Sequence, residues 1–209
     1  MANIYLHAFD SAWAESGTGT LVRYADDFVV LCSTRSQADD AQRRATALLG
    51  ELGLELHPDK TRVVDLREGR EGFDFLGCHL HARMSGRLWE EKRIIRYYLQ
   101  RWPSQRAMKK ARERVRALTS RKHTGAELPL VIERLNLFLR GWGNYFRTGN
   151  ASDKFRQLDR YVWRRLRSLL VKKRGRNLRA GQAERWTEAW LHDQGLHKLL
   201  GTIRYPKAA

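Results

Sequence analysis

Cysteine is nearly missing from this sequence. Only Cys32 and Cys78 occur, far apart, among 209 residues. That excludes a disulfide framework and any zinc site built from cysteine pairs, and it fits a reducing, cytoplasmic setting. No run of 18 apolar residues is present, so no segment reads as a membrane-spanning helix. The opening MANIYLHAFD lacks a basic flank followed by an apolar stretch, so it does not read as a secretory signal. Acidic residues are scarce in one half of the chain. Residues 1–82 hold 8 Lys and Arg against 13 Asp and Glu, a net of −5, whereas residues 83–209 hold 32 against 10, a net of +22. Apolar residues at 42% suffice for a packed core, which excludes wholesale disorder.

The uneven charge divides the chain near residues 82–102. In the basic half, aromatics such as Trp142, Tyr145, Phe146, Tyr161 and Trp163 are interleaved with the cations. Lys and Arg neutralise phosphates and release counterions, and aromatic faces stack bases, so the composition points to nucleic acid. The plainer alternative is a solvated basic surface whose aromatics lie in the core. Candidate contacts are Arg106, Lys109, Lys110, Arg112, Arg140, Arg164, Arg165, Lys172, Lys173 and Arg174. Most of them are arginine, whose planar fork suits bidentate phosphate contact.

The acidic half reads as short strands around one helix. Leu21–Tyr24 and Phe28–Cys32 are β-prone runs separated by Ala25-Asp26-Asp27, a hairpin pattern with an acidic tip. Ser36 and Asp39 form an expected capping box. Ala38, Ala41, Ala45, Leu48, Leu49 and Leu52 then recur at helical spacing, and Gly53 ends the helix. After the loop His57-Pro58-Asp59-Lys60, strands are expected over Thr61–Leu66 and Phe73–Leu80, with a turn at Ser85-Gly86. The layer is α+β, antiparallel strands with one packed helix.

The basic half reads as helices. Ser104 is placed to cap a helix with Ala107, Ala111, Val115 and Leu118 inward. Pro129 sits where a first helical turn tolerates it, ahead of the stripe Val131, Leu135, Phe138, Leu139 and Trp142. Ser152 is placed to cap a third helix carrying Phe155, Leu158, Val162, Leu166 and Leu169. Three amphipathic helices with short connections make a bundle. A tail with Trp186 and Trp190 follows, either docked on the bundle or mobile. The expected divisions are 1–88, a connection over 89–102, a basic helical domain over 103–175 and a tail over 176–209.

Asp26 and Asp27 carry the chemistry. Two like charges held close raise each other's pKa unless a cation intervenes, and Mg²⁺ takes carboxylate oxygens together with substrate phosphate oxygens. An inert, solvated Asp-Asp turn is the alternative, and the flanking sequence decides between them. Tyr24-Ala25-Asp26-Asp27 within LVRYADDFVVLC resembles the catalytic hairpin of reverse transcriptases encoded by bacterial group II introns. Further blocks agree in order. Ala2-Asn3-Ile4-Tyr5-Leu6 is similar to the end of the preceding block, Gly53–Thr61 to the next, and Phe73-Asp74-Phe75-Leu76-Gly77 to the one after. Leu139–Phe146 resembles the signature of the maturase (thumb) domain, and Gly195–Thr202 the tails of such proteins.

The resemblance implies a partial polymerase palm followed by an all-α thumb/maturase three-helix bundle. It implies RNA-directed DNA polymerase chemistry, a two-metal nucleotidyl transfer with Mg²⁺ bound by Asp26 and, more loosely, Asp27. Tyr24 and Ala25 would lie near primer and template, Lys60 near the incoming nucleotide or in the palm scaffold. Phe75, Leu76 and Gly77 would grip the primer. Intron RNA and the RNA–DNA hybrid are the implied partners.

Relatives begin with fingers and a palm strand bearing another metal-binding Asp. This chain is expected to start after them, as an N-terminally truncated form. Asp10 falls in the wrong block to replace that acid, and Asp39 and Asp40 open a surface helix. The isolated chain is therefore expected not to polymerise, to use dNTP only if complemented, and to expose a palm sheet edge open to self-association. The alternative function is a non-enzymatic RNA-binding maturase module that promotes splicing; a decayed gene remnant is a third reading. His79 and His81 share a strand face but have no third metal ligand nearby, so they read as surface residues. Gly141 and Gly143 read as a helix end or as close packing.

Overall fold

The computed structural model of the protein describes residues 2–205. In chain order its main elements are α1 (Ala2–Tyr5), α2 (His7–Ser16), β1 (Thr20–Tyr24), β2 (Asp27–Leu31), α3 (Arg35–Glu51), β3 (Gly72–Phe75), β4 (Cys78–Met84), α4 (Gly86–Lys92), β5 (Tyr97–Pro103), α5 (Gln105–Leu118), α6 (Leu128–Phe146), α7 (Ser152–Arg174) and α8 (Glu188–Asp193). One small sheet pairs β1 with β2, and a second has the order β3-β4-β5. The fold is the expected α+β arrangement, a partial palm and a helical bundle. It divides into two compact units, residues up to 76 with 84–97, and residues 77–83 with 98 onward.

In the first unit the β1–β2 hairpin lies over helices. The register runs from Thr20 opposite Leu31 to Tyr24 opposite Asp27. Leu21, Phe28 and Val30 face a small core of Leu6, Phe9, Trp13, Ala41, Ala45 and Leu49. Phe9 anchors it, with ring centroids 5.7 Å from Trp13 one helical turn on and 5.3 Å from Phe28 across on β2. The stripe Ala41, Ala45, Leu49 turns inward as its spacing dictates. Gly53 adopts a left-handed φ of 69° just past α3. Leu54 N–H then reaches Leu49 C=O and Gly53 N–H reaches Gly50 C=O, which satisfies carbonyls that the helix end leaves open.

The second unit has a larger core. Val115, Leu135, Leu139, Phe155, Leu158 and Leu166 are fully buried, drawn from α5, α6 and α7. Ser104 Oγ accepts from Ala107 N–H at 3.1 Å and caps α5 as expected. Pro129 lies in the first turn of α6. The α7 stripe Phe155, Leu158, Val162, Leu166 and Leu169 is buried throughout. The tail docks on the bundle. Leu191 and Leu199 are fully buried in its core, and Leu196 nearly so. Polar side chains fix its register. Asp159 accepts from Leu199 and Leu200 N–H at 3.0 and 2.9 Å. Asn136 donates to Gly195 C=O and accepts from His197 N–H, both at 2.7 Å. Trp163 Nε1 donates to Trp186 C=O at 2.9 Å. Residues 206–209 of the expected tail lie outside the described residues.

Several local expectations are corrected. Thr34, not Ser36, caps α3, accepting from Gln37 N–H at 3.1 Å. The hydroxyl two residues earlier reaches the first free amides, so the helix starts sooner. Ser152 opens α7 instead of capping it; Ala151 holds the cap position without a side-chain bond. Residues 61–66 form no strand, because no strand among the described residues pairs with them; Glu71 instead ties the loop by donating its N–H to Asp65 C=O at 3.1 Å. The strand expected over Phe73–Leu80 is broken by a tight turn. Leu76 and Gly77 take φ of 48° and 75°, the two positive values that a type I′ turn requires. Ser85 does not form a simple turn. It caps α4, and its N–H donates to Arg96 C=O at 2.8 Å, so α4 is an insertion between two paired strands.

Candidate functional site

Ala25 and Asp26 form the two-residue turn of the β1–β2 hairpin, and Asp27 opens β2 opposite Tyr24. Ala25 has a φ of 55°, the positive first corner of a type II′ turn. An L-residue there stores on the order of 1–2 kcal/mol of backbone strain. The corner is held from below by Arg23, whose Nη1 donates to Ala25 C=O at 2.6 Å. Its Nε and Nη2 bond both oxygens of Asp10. This hydrogen bonding lowers the Asp10 pKa against the opposing effect of burial. Asp10 therefore braces the hairpin and is not available as a further metal ligand.

Tyr24, Asp26 and Asp27 are exposed. Neither the Asp26 nor the Asp27 carboxylate has a hydrogen-bond or ion-pair partner among the described residues. Carboxylate oxygens are the ligand type that a hard divalent cation takes. One or two carboxylates with substrate phosphates suffice for a single magnesium ion, whereas a pair of ions needs more. Among the described residues no group of three or more acidic, histidine or cysteine side chains is gathered to hold a metal. Asp26 and Asp27 thus fit part of a magnesium site. His79 and His81 stack at 6.0 Å between centroids and lean on Trp102, a ring cluster on β4 and β5.

The remaining palm candidates are scattered in role. Lys60 is exposed in the turn after His57, with its N–H donating to His57 C=O at 3.1 Å. Phe75 ends β3 half-buried, and Leu76 and Gly77 make the turn that follows. Gly77 C=O accepts from Ser104 N–H at 2.9 Å, so this turn sets the start of α5.

The basic candidates sort into free and engaged groups. Arg106, Lys109 and Lys110 on α5, Arg140 on α6, and Arg164, Lys172 and Arg174 on α7 are exposed. Arg165 is not like them. Its Nε and Nη2 donate to Thr119 Oγ1 and C=O at 3.1 Å each, closing the C-terminal end of α5. Lys173 donates to Ala126 C=O at 2.8 Å. Arg112 is half-buried near Gln157. Composition did not single out Arg156 and Arg160, which lie eight and four residues before Arg164; that repeat of four was the available signal. No helix among the described residues is long and apolar enough to cross a membrane.

An acidic two-strand turn is followed by a basic helical bundle whose exposed cations suit a polyanion. The family model described as reverse transcriptase (RNA-dependent DNA polymerase) matches residues 1–80, and that described as group II intron, maturase-specific domain matches residues 108–187. The chain belongs to the group II intron reverse transcriptase/maturase family. These two domains imply a divalent metal and binding of intron RNA and RNA–DNA. No curated protein matches the chain.

Proposed function

We propose that the chain grips intron RNA and its RNA–DNA hybrid with the basic helical unit and contributes Asp26 and Asp27 to a polymerase magnesium site. The observation that carries this is the hairpin register, which puts two uncommitted carboxylates at an exposed turn inside the reverse transcriptase match. When bound there, Mg²⁺ would lower the pKa of a primer 3′-hydroxyl and neutralise charge on the leaving pyrophosphate. Arg23 holds the turn in its strained form, so Asp26 and Asp27 are presented without waiting for a rearrangement. Tyr24 lies opposite Asp27 and exposes its ring for contact with a primer or template base. Lys60, Phe75, Leu76 and Gly77 would serve the incoming phosphates and the primer strand. Arg106, Lys109, Lys110, Arg112, Arg140, Arg164, Lys172 and Arg174 would hold RNA through its backbone and shape. Arg165 and Lys173 act on the bundle itself.

Two carboxylates alone do not make a two-ion site, so the isolated chain should bind RNA without extending a primer. Complementation by a chain that supplies another carboxylate would restore the reaction. The hairpin also supports self-association. It forms a two-stranded sheet whose Val22, Tyr24 and Leu31 are exposed, and such edges recruit further strands. A monodisperse monomer in light scattering would remove that part.

The test uses wild type and Asp26→Ala in two assays, RNA binding and primer extension with Mg²⁺ and dNTPs. We expect RNA binding in both proteins and extension in neither. Extension by the wild type that disappears in Asp26→Ala would overturn the inactivity of the isolated chain. Absence of RNA binding would overturn the whole reading.

A further inference from the structure

The surface between α5 and α7 holds a concavity of about 260 Å³ lined by Arg112, Arg156, Gln157, Arg160 and Arg164. Two contacts fix how its walls run. Arg112 Nη2 reaches Gln157 Oε1 at 3.5 Å near one end, and Arg165 clamps Thr119 at the other. Residues 112 to 119 thus run beside residues 157 to 165 in the same direction. Arg156, Arg160 and Arg164 form an i, i+4, i+8 row along one wall, spanning about 12 Å of helix. Arg112 stands on the other wall, with exposed Lys109 and Arg116 within one turn of it on α5.

The helix sorts its arginines by direction. Arg165 and Arg167 bond Thr119 and Ala183, within the fold. Of the row, only Arg156 has an acidic partner among the described residues, an exposed contact with Asp153 at 3.1 Å that an incoming anion can displace at little cost. Asp159, on the same helix, is committed to the Leu199 and Leu200 N–H groups. Four guanidinium groups around a shallow, open trough repel one another unless an anion lies among them. Their linear order suits a chain of regularly spaced charges better than one compact anion.

We propose that a phosphodiester backbone lies along this trough, with Arg112 on one side and Arg156, Arg160 and Arg164 on the other. The inference rests on the proposed RNA-binding role and names where the strand runs. The contact is to phosphates, so it positions RNA without reading sequence.

The experiment measures binding of the full chain to a fluorescent RNA hairpin of arbitrary sequence as salt is varied. The variants are Arg112→Gln/Arg160→Gln/Arg164→Gln, the same three positions as Lys, and Lys172→Gln/Arg174→Gln as a control outside the trough. We expect the Gln triple to weaken binding on the order of tenfold or more and to flatten the log–log salt slope by about 2–3. A scrambled hairpin should lose as much. The Lys triple should keep the slope. An unchanged slope and affinity in the Gln triple would overturn the trough as the RNA track, and would leave RNA binding by other surfaces intact if the control variant loses affinity. A Lys triple as weak as the Gln triple, with an altered circular dichroism spectrum, would overturn it too, by showing a structural role. A trough variant that loses binding to polyglutamate but not to RNA would assign the surface to an acidic protein partner instead. If the wild type binds no RNA at any salt, the proposed function falls along with the trough.

Discussion

The two units solve opposite problems with similar apolar content. The helical unit surrounds a continuous core, in which residues from α5, α6, α7 and the docked tail are fully buried. The first unit buries six hydrophobic residues among those described and leaves Val22, Tyr24 and Leu31 of its hairpin exposed, at 44%, 67% and 51%. It also keeps an alanine in a left-handed turn beside two unpaired carboxylates. Burial is concentrated in the helical unit, and backbone strain at the acidic turn. A unit with few buried contacts is the one expected to open first.

The largest effect should come from the helical core. Phe155→Ala deletes a fully buried ring against Trp142, 5.6 Å away between centroids. We expect a loss of about 3–5 kcal/mol, read by urea denaturation. The loss should appear in a later transition, with an earlier one from the first unit unmoved. Both transitions shifting together would break the comparison and make the chain a single cooperative unit.

Next is the seat of the tail. A Cβ on Gly143 would come within 2.6 Å of Leu199 Cδ2, whereas one on Gly141 meets nothing within 4 Å. Gly143→Ala should cost about 1–3 kcal/mol by overpacking and release residues 195–202 to protease. Gly141→Ala should stabilise the exposed face of α6 by roughly 0.5–1 kcal/mol, since alanine loses less entropy in a helix. Equal effects from the two would mean that the tail does not press on α6.

In the first unit the sign reverses. Ala25→Gly should raise stability, because glycine takes a positive φ without the Cβ clash; the gain is about 1 kcal/mol, less the greater entropy of the unfolded glycine. Thermal melting followed at the hairpin checks this. A loss in place of a gain would show that Ala25 makes contacts that outweigh its strain.

How legible each unit was follows the same division. The α7 stripe, the Ser104 cap and the Pro129 start were readable because helix periodicity and caps are local. The hairpin was readable because the short acidic linker Ala25-Asp26-Asp27 lies between two β-prone runs; the structure takes Asp27 into β2. Ser36 failed as a cap because two hydroxyls, Thr34 and Ser36, compete within three residues and only geometry selects one. Residues 61–66 are expected as a strand after the His57–Lys60 loop, but a strand requires a partner that the local sequence does not name. The turn at Leu76-Gly77 was hidden because leucine rarely takes a positive φ. Adjacent acids marked Asp26 and Asp27, yet only tertiary structure separates Arg165, bound to Thr119, from Arg164, exposed one residue earlier.

The smallest predicted effect concerns the tail and pH, where two groups pull in opposite directions. Burial, helped by the Arg140 charge, lowers the His197 pKa below its ordinary 6.5. The unfolded chain then takes up a proton before the folded one does. This contribution to docking is complete above about pH 6.5 and is lost as pH falls through the depressed value. Burial raises the Asp159 pKa above 3.8, against the two N–H groups that favour its anion. There the folded form holds a proton that the unfolded chain has released, so its contribution is complete below pH 3.8 and is lost as pH rises through the raised value. From pH 7 toward pH 5.5 the His197 effect should lead, and amide exchange at Leu199 and Leu200, corrected for intrinsic rate, should quicken. His197→Gln should flatten that part of the profile and leave Asp159 to govern the more acidic part. A profile unchanged by His197→Gln would place the pH sensitivity of the tail on groups other than His197.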